Sequence, residues 1–248
     1  MEAGTRQKMS LITLALVLLV LVRVGLIWKQ RHEAEQIKPA AQAQSTTPKD
    51  AYVVLPKLYA YDLASAKQGL DGKTIWVAAG NRVKYYVVRG GAVDWKHAAS
   101  TLSPLDTLKV VDVRKVDGPV ENIKSGDVVF HKTTPEVVAI FTRGDKPERY
   151  ATRIGTVEGD SYTFVVDNTF YIEDPHQLYK HWPADIWKAI DEHRAVQGMN
   201  ELQASMALGP GSSEDRSNYG NRTMQYEFGG KTYSVSFSQD RATSVQPQ

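Results

Sequence analysis

The chain has 248 residues, 30 lysines and arginines against 28 acids, 42% hydrophobic residues and no cysteine. The missing thiol excludes a disulfide framework, Cys-ligated zinc or iron–sulfur chemistry, a cysteine nucleophile and lipidation through an N-terminal cysteine. A net charge of +2 makes no case for nucleic-acid binding, and the length fits one or two globular domains.

The charge is unevenly distributed. Residues 1–50 hold seven Lys/Arg against four acids, a net +3, whereas the remainder holds 23 against 24, a net −1. The basic excess brackets an apolar run. No charge interrupts residues 9–22, the run resumes after Arg23 and ends at Trp28, and Arg6, Lys8, Lys29 and Arg31 flank it. About 20 apolar residues cross a bilayer as a helix. A cleaved secretory signal is the competing reading, but residues 23–28 are bulky and the nearest Ala-x-Ala, Ala41-Gln42-Ala43, lies far downstream. The expectation is a cytoplasmic tail and single transmembrane anchor over residues 1–28, with Trp28 at an interface and Arg23 snorkelling. The short basic tail favours N-in, with the bulk of the chain on the extracytoplasmic side.

Residues 29–51 are rich in Gln and Ala, with Pro39 and Pro48, and carry almost no large apolar residues, which predicts a linker. Residues 52–184 then read as a β-rich domain, barrel or sandwich. Candidate strands lie at 74–77, 83–88, 107–113, 127–131, 137–142, 150–157, 161–166 and 169–172. Turn signals separate them, among them Gly90-Gly91, Asp117-Gly118-Pro119 and Ser125-Gly126. Only 61–69 and 94–100 look helical in this stretch.

The pattern changes over residues 185–248. Ile186, Ala189, Ile190 and His193 share one helical face, and Asn200 with Gln203 three residues later signals a capping-box-like start for a second helix. Met199, Leu202 and Met206 recur at helical spacing, and Gly209-Pro210 stops the helix. Strands at 223–228 and 231–238 flank Gly229-Gly230 as a hairpin, and 242–245 supplies a third strand. The expected class is α+β: an N-terminal transmembrane helix, a β-rich middle domain and a small C-terminal ααβββ unit of about 60 residues, a size that gains from packing on a neighbour.

Two resemblances follow. Val196-Gln197-Gly198-Met199-Asn200-Glu201-Leu202, then Met206-Ala207-Leu208-Gly209-Pro210, then a hairpin with Tyr226 and Val235-Ser236-Phe237, resembles the SmpA/OmlA (BamE-like) outer-membrane-assembly lipoproteins. That family implies an envelope-assembly role without catalysis. The lipid-bearing cysteine is absent here, and the apolar run stands in its place. Ser125-Gly126-Asp127-Val128-Val129-Phe130, the run 153–160 and Asp167-Asn168 are similar to the boxes of type I signal peptidases, which pair a serine nucleophile with a desolvated lysine. The lysine position carries Thr152, and the serine box falls on Thr101-Leu102-Ser103-Pro104. An active dyad would then need Thr101, Ser100 or Ser103 beside a buried lysine such as Lys109 or Lys132.

The six histidines offer no metal spacing; the densest group, Asp174, His176 and His181, contains Pro175 and lacks an i,i+4 pair. No Gly-x-Ser-x-Gly elbow is present. Trp182 and Trp187 form an aromatic pair for which packing between domains is favoured over an exposed patch that a partner covers. With Met199, Tyr226 and Tyr233 they are the candidate interaction residues. The resulting expectation is a membrane-anchored, non-catalytic envelope protein acting through protein–protein contacts, with no cofactor, metal or nucleic acid. The alternative is a signal-peptidase-like anchored hydrolase or its inactive relative.

Overall fold

The computed structural model describes Arg23, residues 49–125, 128–144 and 147–247. The expected membrane span and most of the linker lie outside the described residues; among the described ones no helix is long and apolar enough to cross a membrane. The chain divides into two compact units, residues 1–52 and 53–248. Of the first, a single 3-10 turn, Lys49–Tyr52, is described besides Arg23.

The second unit is α+β and built on antiparallel sheets. It opens with helix α1 (Leu63–Leu70), whose start is fixed by Asp62: its carboxylate accepts from Ser65 N at 2.7 Å and the Ser65 hydroxyl accepts from Asp62 N. The first sheet follows: β1 (Thr74–Val77), β2 (Val83–Arg89), β3 (Ala92–Leu102), β4 (Thr107–Ser125), β5 (Val128–Thr142), β6 (Tyr150–Glu158), β7 (Ser161–Phe164) and β8 (Phe170–Tyr171). Its order is β3-β2-β6-β5-β4-β1-β8, with β7 beside β6. A short helix α2 (Val166–Thr169) separates β7 from β8.

Strand β5 sits at the centre of this sheet, and its residues 136–141 are buried on both faces. Val137, Ala139 and Phe141 join Ile75, Leu102, Leu108, Ile154 and α1's Leu70 in one core. Val138 and Ile140 face the opposite side, against Ala151, Val88 and Trp95. The period-2 alternation therefore feeds two apolar layers.

Three sequence expectations change. Residues 94–100, expected as a helix, belong to strand β3: Gly90 and Gly91 both hold positive φ, 57° and 84°, the geometry of a tight hairpin, and this returns the chain along β2. Asp117-Gly118-Pro119 is not a turn but an irregularity inside the continuous strand β4. A Cβ on Gly118 would lie 2.2 Å from Thr134 O, so only glycine lets the two backbones approach there. The strands expected at 127–131 and 137–142 are likewise one, β5. Beyond Gly118 and Pro135 the β4–β5 hairpin runs on, and no third strand pairs with it among the described residues.

The C-terminal segment forms α3 (Pro175–Leu178), α4 (Ala184–Asp191) and α5 (Glu201–Leu208), then β9 (Gly211–Ser212), β10 (Thr223–Phe228), β11 (Lys231–Ser238) and β12 (Arg241–Pro247) in a second sheet ordered β12-β11-β10-β9. The expected capping box of α5 is present: Asn200 Oδ1 accepts from Gln203 N at 2.8 Å and Gln203 Oε1 accepts from Asn200 N at 2.9 Å. The core under this sheet takes Tyr179, Trp182, Trp187, Ile190, Met199, Met206, Tyr226 and Val235 from the C-terminal segment, and Ala78 and Tyr171 from the chain before it. Arg82, in the loop after β1, donates to the carbonyls of Leu208 (3.2 Å) and Glu227 and sits over the Phe228 ring.

Two carboxylates fix the start of the folded body. Asp167 of α2 accepts from Leu58 N (2.6 Å) and Tyr59 N (3.1 Å), more than a hundred residues away in sequence. Asp112 of β4 takes Lys67 of α1 at 2.8 Å together with Arg114. We predict that Asp167→Ala lowers stability by about 1.5–3 kcal/mol, the range for hydrogen bonds to a charged group, and opens residues 53–62 to limited proteolysis; wild-type cleavage kinetics there would contradict the assignment. For Asp112, burial raises the carboxyl pKa, but the bonds from Lys67 and Arg114 more than reverse this and hold it below the ordinary 3.8. Its contribution is therefore complete above that value and lost as pH falls through the depressed folded-state pKa. Acid titration of unfolding in Asp112→Asn checks this: the low-pH loss of stability becomes shallower than in wild type.

Candidate interaction surface

The sequence-expected residues converge on the segment 171–208. Asp174 accepts from His176 N at 2.9 Å and Pro175 occupies the first turn, so α3 begins with its backbone preset. This points the His176 ring at α4, where it stacks on Trp187 with ring centroids 4.1 Å apart. Its Nδ1 lies 3.1 Å from Asp174 Oδ1 and its Nε2 lies 3.2 Å from Asp191 Oδ1, so each ring nitrogen faces a carboxylate. The stack continues inward from Trp187 to Trp182 at 5.2 Å and from Trp182 to Tyr179 at 4.4 Å. Trp187 Nε1 donates to Tyr179 O, which satisfies the indole in the interior.

Above this stack lies an open groove of about 570 Å³, with Lys180, Lys188, Asp191 and Glu192 on its rim and edges of Trp182 and Trp187 in its floor. The tryptophans are 6% and 8% exposed. They serve packing first, with only their edges reaching the groove. Met199 and Tyr226 are wholly buried, and burial pushes the Tyr226 phenol up to about 12. Tyr233 is half-buried against the same core. All five candidate interaction residues thus pack in or against the core, which for the tryptophan pair agrees with packing, the use favoured from the sequence, and the charged side chains around the groove are what a partner can touch.

A second polar centre was not foreseen. Glu201, the first residue of α5 and 3% exposed, accepts from Gly220 N at 2.6 Å and from Arg222 Nη2 at 2.7 Å and Nε at 3.1 Å. Arg222 also donates to the carbonyls of Asp215 and Arg216, and Asp240 accepts from Glu201 N at 3.1 Å. This node binds α5 to the loop before β10 and to the β11–β12 turn. In sequence, Glu201 reads as an ordinary acid in a first helical turn, which is why the node is missed. The helix itself is buried nearly all round: Gln203, Ala204, Ala207 and Leu208 are interior, while Leu202, expected on the apolar stripe, is half-buried.

The lysines proposed for a hydrolytic dyad lack the burial that such a base needs. Thr101 lies on β3 opposite Lys84, and Ser100, Thr101, Lys109 and Lys132 are all exposed. Every lysine whose burial is described is exposed. A lysine base needs desolvation to lose its proton near neutral pH. Thr152, at the lysine position of the signal-peptidase-like box, is fully buried and donates to Lys84 O at 3.1 Å. No group of three or more metal-ligating side chains is present among the described residues. No protein-family model matches the chain, and neither the curated proteins nor the solved structures contain a significant match.

The Glu201–Arg222 pair supplies a stability prediction. Arg222→Met leaves the Glu201 carboxylate buried without its cation, which costs about 3–5 kcal/mol, read as denaturant unfolding by tryptophan fluorescence. The double replacement Glu201→Met with Arg222→Met recovers most of that loss. A single-variant loss below about 1 kcal/mol, the value of an exposed pair, would show the node to be superficial.

Proposed function

We propose that the chain is a single-pass, membrane-anchored bacterial envelope protein whose extracytoplasmic part binds other envelope proteins and performs no catalysis of its own. Residues 1–28 hold it to the inner membrane, 29–51 are the linker, and 52–184 form a β domain, barrel or sandwich, around the core of Ile75, Leu108, Phe141 and Ile154. Residues 185–248 form the BamE-like unit. Two helices followed by the β10–β11–β12 meander support that resemblance, but a fold of this kind supports architecture more than partner identity.

The observation that carries the reading is the groove between α3 and α4. Its floor is fixed by the His176–Trp187–Trp182 stack, and its lining carries cations (Lys180, Lys188) and acids (Asp191, Glu192). Charges of both signs on a rigid rim orient an incoming protein segment and reject mismatched ones. Aromatic edges beneath give it an apolar anchor. The occupant this fits is a peptide segment carrying an apolar side chain between charges of opposite sign.

The runner-up, an inactive relative of signal peptidases, is favoured over an active one by a single observation: Thr152 fills the lysine position and its hydroxyl is already bonded to Lys84 O.

Because the chain contains no cysteine, Lys188→Cys can carry a benzophenone maleimide as the sole label. In native membranes the label at 188 is expected to yield a discrete protein adduct, absent when the label sits at 231 on the far hairpin, and reduced several-fold by Lys180→Glu. An identical adduct pattern at both positions, or none at either, overturns the interaction reading. Covalent labelling of a serine or threonine by a fluorophosphonate overturns the non-catalytic one.

A further inference from the structure

Five of the eleven exposed large apolar or aromatic side chains among the described residues fall within ten positions: Tyr52, Val54, Leu55, Tyr59 and Tyr61. The exposures are high, 83% at Val54, 75% at Tyr59 and 76% at Tyr61. Leu58 in their midst turns inward, so close to α1 that a Cβ on Gly69 would lie 1.9 Å from its Cδ1. The reversal between Leu58 and Tyr59 is built. Tyr59 holds φ at +51°, a left-handed conformation unfavourable for a bulky residue, and Asp167 clamps the amides of both residues from α2. The clamp drives Leu58 into the core and Tyr59 out of the surface.

The composition of the segment selects what it would meet. Residues 53–61 carry no acid and one cation, Lys57, which suits a surface bearing anionic headgroups. Tyrosines flanked by valine, leucine and proline are the side chains that settle where hydrocarbon meets headgroups, with the ring in the boundary and the hydroxyl wet. The position in the chain selects the same surface. Twenty-four residues separate Trp28, the end of the apolar run, from Val53. A coil of that length has a root-mean-square span of about 27 Å, so an anchored chain presents this segment to the bilayer at high effective concentration.

We propose that the face made by Val54, Leu55, Tyr59 and Tyr61 lies in the headgroup–acyl boundary of the membrane that anchors the chain, so that the folded body rests on the bilayer through a second, peripheral contact. This rests on the anchored reading above. The contact is shallow, on the order of 5–10 Å into the boundary, and it fixes the orientation of the body relative to the membrane.

The test uses the full chain in phosphatidylcholine–phosphatidylglycerol vesicles, with single cysteines at 54, 55, 59 or 160 carrying an environment-sensitive NBD label. Three sites in the segment guard against one substitution disturbing the turn, and Asp160, in the exposed β6–β7 turn, reports the solvent-facing body. Flotation after carbonate extraction first establishes whether the chain is held by its span. With the chain floating, labels at 54, 55 and 59 are expected to be quenched several-fold more strongly than at 160 by lipids bearing a doxyl group near the headgroup, and several-fold less by aqueous iodide. Tyr59→Ser with Tyr61→Ser should shift the label at 54 towards the behaviour at 160. A floating chain in which iodide quenches all positions equally overturns the proposal and leaves the anchored reading intact. Failure to float overturns both. Shielding from iodide without lipid quenching, together with crosslinks between copies through position 54, assigns the face to a second copy and also overturns it.

Discussion

The burial of Trp182 and Trp187 between the two sheets is the contact on which the second unit depends. A tryptophan removes on the order of 150–250 Å² from water, about 4–6 kcal/mol by area at the usual coefficient, against a whole-domain stability of about 5–15 kcal/mol. The pair shares its core with Tyr171 of the first sheet, with Ala78 just after β1, and with Met199, Met206 and Tyr226 beneath the second, so one core serves both. Arg82 adds a polar tie across the same region, reaching the carbonyls of Leu208 and Glu227. The C-terminal helices and meander are therefore held in one orientation by the residues that also form the groove floor. Rigidity at the floor follows from packing, and the rim charges inherit it.

How much of this could be read in the sequence depends on the range of the interaction concerned. The capping box of α5, the Gly229-Gly230 hairpin and the alternation Met224, Tyr226 and Phe228 are local signals, and they appear as residue patterns because their partners lie within a few positions. The Glu201–Arg222 node and the Asp167 clamp join positions 21 and 109 residues apart, and nothing near either carboxylate announces the partner. The misassigned helix at 94–100 fails for a third reason. Ala98 and Ala99 favour a helix locally, but the glycine pair before the segment forces a hairpin and strand pairing overrides propensity. For Trp182 and Trp187 the sequence favoured packing, but it did not name the layer they pack against. An aromatic pair beside a proline has the same pattern whether it faces solvent or a second sheet, and burial is a property of the partner layer.

The two surfaces with functional readings are made by different means. At the groove, charged residues stand on ordinary helices over a packed floor, and strain plays no part. At residues 53–61 a tyrosine is held in a left-handed backbone by a distant aspartate, so an apolar face is kept exposed where relaxation of the turn would let it fold back. Both surfaces are positioned by the same second unit, one through its aromatic core and the other through α2. A change that loosens either support would disturb recognition without touching a contacting side chain.

The β4–β5 hairpin beyond Gly118 and Pro135 has a different thermodynamic standing from the sheet it grows out of. Its inner half shares hydrogen bonds with β6 and β1, and Trp95 Nε1 donates to Asp117 O at the point where that support ends. Past it, among the described residues, each strand pairs only with the other, and Val120, Ile123 and Val129 are left exposed. A two-stranded ribbon is marginal by itself in water, so its amides should exchange with solvent through local openings far below the global unfolding free energy. The two prolines interrupt its edges near the root, which hinders a neighbouring strand from zipping onto the central sheet. The pairing thus marks the ribbon as a unit expected to open before the body does, and that difference in cooperativity begins at the single glycine that lets the strands approach so closely.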